Sequence, residues 1–245
     1  MTAKDLVVKP IASSDANRLI KRLHYSGKVV NNSKLHFGVF YEGHCEGVMS
    51  FGPSIDKRRV MPLVKGTKWN EFMELNRLAF SDILPRNSES RALAIAFRLI
   101  KKHYPHIRWI VSYADATQCG DGTIYRASGF ILTGITKNKT ILRAPNGDIV
   151  ADVTINTSRT KTYKGYKKSE CTPLQGYQVR YIRFLYPEDK KKLTVKELPF
   201  STLKELGVSM YKGAKRELVE GQEDPPVDKR FDSDSHAPTL GVSNG

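Results

Sequence analysis

The chain has 245 residues, with 40 Lys and Arg against 25 Asp and Glu, a formal net charge of +15 and 40% hydrophobic residues. That length can bury one full core, and the positive balance suits a polyanionic partner more than an acidic surface or a neutral scaffold. No apolar run of membrane-spanning length and no signal peptide is read, and Cys45, Cys119 and Cys171 form neither a metal spacing nor an even disulfide set, so a membrane protein and a secreted disulfide scaffold are disfavoured.

In chain order, Ser14–Leu23 reads as an amphipathic helix with a Ser or Asp cap that stops at His24-Tyr25-Ser26-Gly27-Lys28. Adjacent His24 and Tyr25 at a helix exit can reach a cleft together; His24 also suits the ordinary role of a helix-end cation. Leu35–Tyr41 and Gly47–Gly52 flank a Gly-containing turn and read as a hairpin. Phe72–Phe80 is a strand, residues 81–87 are a turn-rich connection, and Ser88 opens a helix carrying Leu93, Ile95, Ala96, Leu99 and Ile100 at helical spacing. The free N–H groups at that helix start favour an anion, with Arg86, Arg91 and the hydroxyls of Ser88 and Ser90 within reach. Ser88 serves equally as a plain helix cap.

The helix ends near Lys101-Lys-His-Tyr-Pro105, and Ile107–Tyr113 is a buried strand that delivers Asp115 to the sheet edge. There Asp115 is either an acid, base or metal ligand at a crevice or a carboxylate bonded to its own turn. Gly122–Gly134 reads as a short helix with Ile124, Ala127 and Ser128 as its packing face, a left-handed stop at Gly129 and a strand restarting at Phe130. Tyr125, on the turn before that stop, is a catalytic candidate or a core tyrosine. Leu142–Val150 holds an Asn-Gly turn and reads as a hairpin. The segment after it concentrates Arg159, Lys161, Lys164, Lys167 and Lys168 with Tyr163 and Tyr166, followed by Tyr177 and Tyr181; cations on phosphates with aromatics on bases would make a DNA-binding surface, and a solvated strand face is the ordinary alternative. From about Glu217 the composition turns acidic and rich in Pro, Ser and Gly, as in a disordered tail. The expected organisation is a core over 1–134, a sheet extension with the basic segment over 135–216, and a tail over 217–245.

Tyr125 with Gly129 and Phe130 resembles the Tyr-x-x-x-Gly-Phe signature near the end of GNAT-type N-acetyltransferase domains. The resemblance implies an α/β (α+β) fold, a central mixed twisted sheet flanked by helices, with a basic β-rich C-terminal extension and a tyrosine hydroxyl facing the leaving thiolate of coenzyme A. The glycine-rich phosphate loop of that fold is missing before Ser88. More specifically, His24-Tyr-Ser-Gly-Lys28, Glu74-Leu-Asn-Arg77, Pro85-Arg-Asn-Ser-Glu-Ser-Arg91, Ser112-Tyr-Ala-Asp115 and Gly122-Thr-Ile-Tyr-Arg-Ala-Ser128 together resemble the Mom family of phage DNA-modification proteins.

That resemblance implies an enzyme that places a carbamoylmethyl group on the exocyclic amine of adenine, shielding phage DNA from host restriction in the host bacterial cytoplasm. It assigns Asp115 and Tyr125 to the reacting centre, His24 and Tyr25 to its wall, and Arg77 with Ser90 to an anionic part of the donor. The partner implied is double-stranded DNA with the adenine flipped out, because the amine is otherwise engaged in pairing. Acetyl transfer joins an amine to a carbonyl carbon, whereas a carbamoylmethyl product joins nitrogen to a methylene carbon, so the donor is left open. Acetyl-coenzyme A or a related acyl donor is one choice, and oxidative activation at iron(II) held by His24, Asp115 and Tyr125 is another. An acetyl-coenzyme A-dependent N-acetyltransferase acting on protein, RNA or a small amine and a non-catalytic DNA-binding protein remain as alternatives.

Overall fold

The computed structural model describes residues 2–208 except 119, together with the residue pairs 210–211 and 214–215; the expected tail over 217–245 lies outside the described residues. Its elements are β1 (Val7–Pro10), α1 (Ser13–Leu23), β2 (Leu35–Tyr41), β3 (His44–Gly52), α2 (Lys57–Val60), β4 (Phe72–Phe80), α3 (Ser88–His103), β5 (Trp109–Asp115), α4 (Thr123–Ala127) and β6 (Ile131–Lys137). They continue with β7 (Ile141–Arg143), β8 (Ile149–Ala151), α5 (Asp152–Thr157), β9 (Thr162–Tyr163), β10 (Tyr166–Lys167), β11 (Thr172–Pro173), β12 (Tyr177–Phe184) and α6 (Ser201–Glu205).

Seven strands make the central sheet in the order β1-β2-β3-β4-β5-β12-β6. All neighbours are antiparallel except β4 and β5, whose parallel pairing requires the crossover that α3 provides. The two long helices, α1 and α3, cover opposite faces. Ala16, Leu19 and Ile20 recur at helical spacing on α1 and pack with Val48 and Ala79. On α3 the buried residues Ala92, Leu93, Ala96, Phe97 and Ile100 pack on the other face with Phe37, Met49, Phe51, Leu75 and Leu132. Each buried Leu or Phe in that layer contributes about 1.5–3 kcal/mol relative to exposure. The expected mixed sheet flanked by helices is therefore present.

Strand β12 comes from beyond residue 134 and yet lies between β5 and β6, so the central sheet is not complete at that point in the chain. Residues after β6 form a small satellite core of Leu142, Ala144, Val150, Ile155 and Cys171, against which Tyr163 and Tyr166 pack. The hairpin at Asn146-Gly147 joins β7 to β8, with Gly147 at φ 86°.

The pairing of β4 with β5 is short. It runs only through Phe72↔Trp109, Met73↔Ile110 and Glu74↔Val111. The start is pinned by the stacked rings of Phe72 and Trp109, 4.5 Å apart at 8°, with the indole N–H donating to Thr67 Oγ1 at 3.1 Å. Beyond Glu74 the two strands part. Strand β5 continues in register with β12 as far as Asp115, while β4 carries an extra residue, Asn76, between the Ser50↔Arg77 and Phe51↔Leu75 pairs with β3. A bulge bends its strand and re-aims its side chains. Here it lets Leu75 and Leu78 both face the α3 side, while Arg77 turns toward the loop after α1.

Candidate active site

The gap between the diverging ends of β4 and β5 is a cavity of about 510 Å³, within the range of about 300–1,000 Å³ common for small-molecule sites. Its walls are Leu75–Leu78 of β4 and Tyr113 and Ala114 of β5, closed by His24 and Tyr25 from the end of α1 and by residues 121–125 at the start of α4. Four residues expected from sequence, His24, Tyr25, Arg77 and Tyr125, thus meet at one cavity although up to 101 positions separate them. Open α/β sheets place ligand crevices at such strand ends.

His24 caps α1, its backbone N–H donating to Ile20 O at 2.9 Å, and Gly27 at φ 58° closes the following turn onto His24 O at 2.8 Å. The Ser26 backbone N–H donates to His24 Nδ1 at 3.2 Å, with the Ser26 hydroxyl 2.9 Å from the same nitrogen. A backbone N–H can only donate, so Nδ1 is the acceptor and the proton of the neutral ring sits on Nε2. Burial, and secondarily the Arg77 cation, lower the His24 pKa to about 4. The ring is therefore neutral at pH 7 and offers an N–H, rather than acting as the helix-end cation of the alternative reading. Tyr25 lies beside it with ring centroids 4.3 Å apart and is 54% exposed at the cavity mouth.

Arg77 is held by two carbonyls, donating from Nε to Lys28 O and from Nη1 to Asn76 O, each at 2.8 Å. Burial pushes its pKa below the ordinary arginine range, opposed by Tyr25, Glu74 and Tyr125. Glu74, the last β4 residue paired with β5, is pushed up by burial against the hydrogen bonds of Ser54 and Asn76 and the charge of Arg77. Tyr113 is pushed upward by burial and by Glu74, opposed by Arg180. Its phenol is thus protonated at neutral pH.

Tyr125 takes its place from what lies beneath it. Its ring packs on Tyr181 and Phe130, with centroid distances of 5.1 and 5.2 Å, and its hydroxyl donates to Tyr113 O at 3.5 Å, the outer limit of a hydrogen bond. Tyr181 is fully buried and its hydroxyl donates to Asp121 O, tying β12 to the loop before α4. Gly122 enters α4 at φ 73°, and a Cβ there would lie 2.8 Å from both Tyr125 and Tyr181. The expected packing face of Ile124, Ala127 and Ser128 is corrected: Ile124 is exposed and none of α4 is buried, because this turn gives the inward position to Tyr125. The left-handed stop at Gly129 is present at φ 73°.

Asp115 does not line the cavity. Its carboxylate accepts from Thr117 N at 3.0 Å, Thr117 Oγ1 at 2.6 Å, Gln118 Nε2 at 2.8 Å and Gln178 Nε2 at 2.8 Å. These bonds favour the turn-carboxylate reading. They also count against iron held by His24, Asp115 and Tyr125, since the one carboxylate of that set is directed into its turn. No cluster of three or more His, Cys, Asp or Glu suited to a metal occurs among the described residues.

The residues expected to hold an anionic donor are split between two places. Arg77 lines the cavity, whereas Arg86, Ser90 and Arg91 line a separate cleft of about 960 Å³ along α3. Ser88 is fully buried, its hydroxyl donating to Pro85 O, and Asn87, at φ 69°, precedes α3 without a side-chain cap. In the basic segment Arg159, Lys161, Lys164, Lys167 and Lys168 are exposed, but Lys164 pairs with Asp148 at 2.8 Å and Lys168 with Asp152 at 3.0 Å. Tyr163 and Tyr166 pack on the satellite core, and Tyr177 and Tyr181 are buried in the main one, so the latter two are not available to stack on bases. Sequence reasoning gave Tyr113 and Asn76 no role of their own and assigned Tyr181 to stacking on DNA bases. A tyrosine near the end of a largely apolar buried strand was the signal for Tyr113; nothing local marked the bulge at Asn76 or the place of Tyr181 beneath Tyr125.

Solved structures with similar chain paths include an IAA acetyltransferase from Bacillus cereus ATCC 14579, 12% identical over 73% of this chain and 99% of that one with a TM-score of 0.44. A GNAT family acetyltransferase from Elizabethkingia anophelis with acetyl-CoA bound is 13% identical over 74% and 98%, with a TM-score of 0.42. A spermidine/spermine N-acetyltransferase from Vibrio cholerae in complex with manganese ions is 9% identical over 77% and 98%, with a TM-score of 0.46. Sequence comparison is far more specific. The protein named methylcarbamoylase mom from Escherichia phage Mu is 34% identical over 199 residues, covering 79% of this chain and 81% of its own. The Mom protein family model matches residues 5–202, a span that contains both α1 and β12 and hence every wall of the cavity, and the chain belongs to the Mom protein family.

Proposed function

We propose that the protein is a transferase that adds a small carbon group to the exocyclic N6 amine of adenine in DNA, a phage modification that protects against host restriction. The observation that carries this reading is the convergence of His24, Tyr25, Arg77 and Tyr125 on one cavity in a member of the Mom family. The phage Mu relative bears the name methylcarbamoylase. In a duplex the amine is engaged in pairing, so the base must leave the stack to react. Tyr25 and Tyr113, 54% and 40% exposed and both lining the cavity, offer faces on which a flipped purine can stack.

The amine nitrogen attacks an activated carbon of the donor. The new N–C bond forms as the bond to the leaving group breaks, the electron pair departs with the leaving group, and a proton leaves the amine to water. The Tyr125 hydroxyl protonates the leaving group and regains a proton from solvent, while the Nε2–H of neutral His24 and the Arg77 guanidinium stabilise negative charge on the donor. Asp115 acts at one remove, by fixing the turn that leads to α4.

Exposed cations of the basic segment support a DNA surface near the cavity mouth. Lys28, three residues after Tyr25, lies over the Tyr163 ring at 5.9 Å, which sets the β9–β10 hairpin beside the loop carrying His24 and Tyr25. Digestion to nucleosides of DNA from cells expressing the protein, followed by mass spectrometry, tests the reading. A deoxyadenosine of raised mass is expected; unmodified nucleosides in the presence of soluble protein would contradict it.

A further inference from the structure

We infer that the cleft along α3 is a track for the DNA backbone, holding phosphates on the far side of α4 from the reacting base. The inference rests on the DNA-modifying reading and assigns to it a surface that the basic segment does not include. The cleft, of about 960 Å³, gathers Lys4, Arg86, Arg91, Arg98, Lys101 and Arg183 from four parts of the chain, and no Asp or Glu lines it among the described residues.

Arg91, Ala94, Arg98 and Lys101 share one face of α3, spaced by three, four and three residues. Like charges so placed repel, and no acidic partner on the same face relieves them. None of the six cations forms an ion pair among the described residues: Arg91 donates to Lys4 O at 3.2 Å, Arg183 donates to Gly129 O at 2.9 Å, and Lys101 sits 4.4 Å from the centre of the Tyr186 ring. The exposed small residue Ala94 lies between the cations and leaves the floor open. A row of phosphates supplies the charge that this face lacks.

Position relative to the cavity distinguishes a continuous strand from an isolated anion. Thr123, Ile124 and Tyr125 in the first part of α4 line the cavity, while Ala127 and the C-cap residue Ser128 line the cleft. Five helical residues span about 7.5 Å at a rise of about 1.5 Å each. Phosphates along one strand recur at every nucleotide, so a strand crossing α4 brings a phosphate about one to two nucleotides from the flipped base into the cleft.

The test compares the full-length protein with the double variant Arg86→Gln/Arg98→Gln, two exposed side chains outside the cavity, after thermal melting confirms that both are folded. Affinity for a duplex is measured across a salt series. Loss of two phosphate contacts is expected to weaken binding at low salt by tenfold or more and to reduce the slope of log K against log salt by about 1.8. The pair Lys164→Gln/Lys168→Gln, whose partners Asp148 and Asp152 already neutralise both cations, is expected to change that slope less. An unchanged slope in Arg86→Gln/Arg98→Gln overturns the assignment. So does retained duplex affinity with loss of coenzyme A binding, which would make the cleft a donor site. Nucleoside mass spectrometry separates the two claims: wild-type protein that binds duplex through this cleft yet leaves adenine unmodified sinks the proposed function and keeps the track.

Discussion

Tyr125 and Asp115 stand ten residues apart in the sequence with similar chemical promise, and their surroundings give them different tasks. Tyr125→Phe removes a hydroxyl whose contact with Tyr113 O is already long at 3.5 Å while keeping the ring on Tyr181 and Phe130, so the fold is expected to survive and turnover to fall about a hundredfold or more. Asp115→Ala leaves Thr117, Gln118 and Gln178 donors without their acceptor and is expected to cost about 2–3 kcal/mol, a fall in Tm of about 5 °C or more. Circular dichroism melting checks both; a thermally unchanged Asp115→Ala would remove its structural role. His24 adds a pH signature. Its pKa falls from 6.5 in the unfolded chain to about 4 in the fold, so unfolded protein takes up a proton that folded protein refuses as the pH drops between those values. The associated stability is fully present above pH 6.5 and is lost toward pH 4, with His36, lowered by burial, acting in the same direction. His24→Gln should flatten the fall of Tm between pH 7 and pH 4, and an unaltered profile would contradict the buried neutral imidazole. Tyr125 was legible in the sequence because its glycine stop and following strand are local; the hydrogen bonds that commit Asp115 to its turn come partly from Gln178, which no local pattern brings near.

At the scale of elements, β2, β4 and the start of α3 follow from alternation, helical spacing and a turn-rich connection, and their structural limits match that reading. The bulge at Asn76 does not. An extra residue in a strand leaves no mark in composition, yet it lets Arg77 turn toward His24 while Leu75 and Leu78 face the α3 side. Short α4 was legible as a helix but not in its facing, because five residues define no face until Gly122 sets the entry angle. Gly122→Ala places a Cβ at φ 73° and 2.8 Å from both tyrosine rings. A left-handed L-residue costs about 1–2 kcal/mol before any clash, so Tm should fall and modification should be lost together, since Tyr125 cannot keep its seat. Retention of full modification by Gly122→Ala would show that the seat of Tyr125 does not matter to the chemistry.

For the whole molecule, the order β5-β12-β6 means that the floor under Tyr125 arrives last in the sequence, after the satellite hairpins. The sequence places residues 135–216 in an extension of the sheet, because local pattern carries no address for where a later strand such as β12 inserts. A chain ended after residue 134 would lack the strand between β5 and β6 and is expected to show no cooperative melting; a sharp transition would contradict a single sheet. Charge also has a long-range order that sequence clusters hide: the conspicuous lysines after β8 are partly neutralised by Asp148 and Asp152, while cations spread from Lys4 to Arg183 gather in one cleft. The central claim is that a cavity built where β4 and β5 part modifies adenine in DNA through Tyr125. Its most direct test is mass spectrometry of nucleosides from DNA of cells expressing the wild-type protein or Tyr125→Phe at equal soluble levels. The account predicts a heavier deoxyadenosine with the wild type and about a hundredfold less, or none, with the variant; equal modification by both, or none by either, would contradict it.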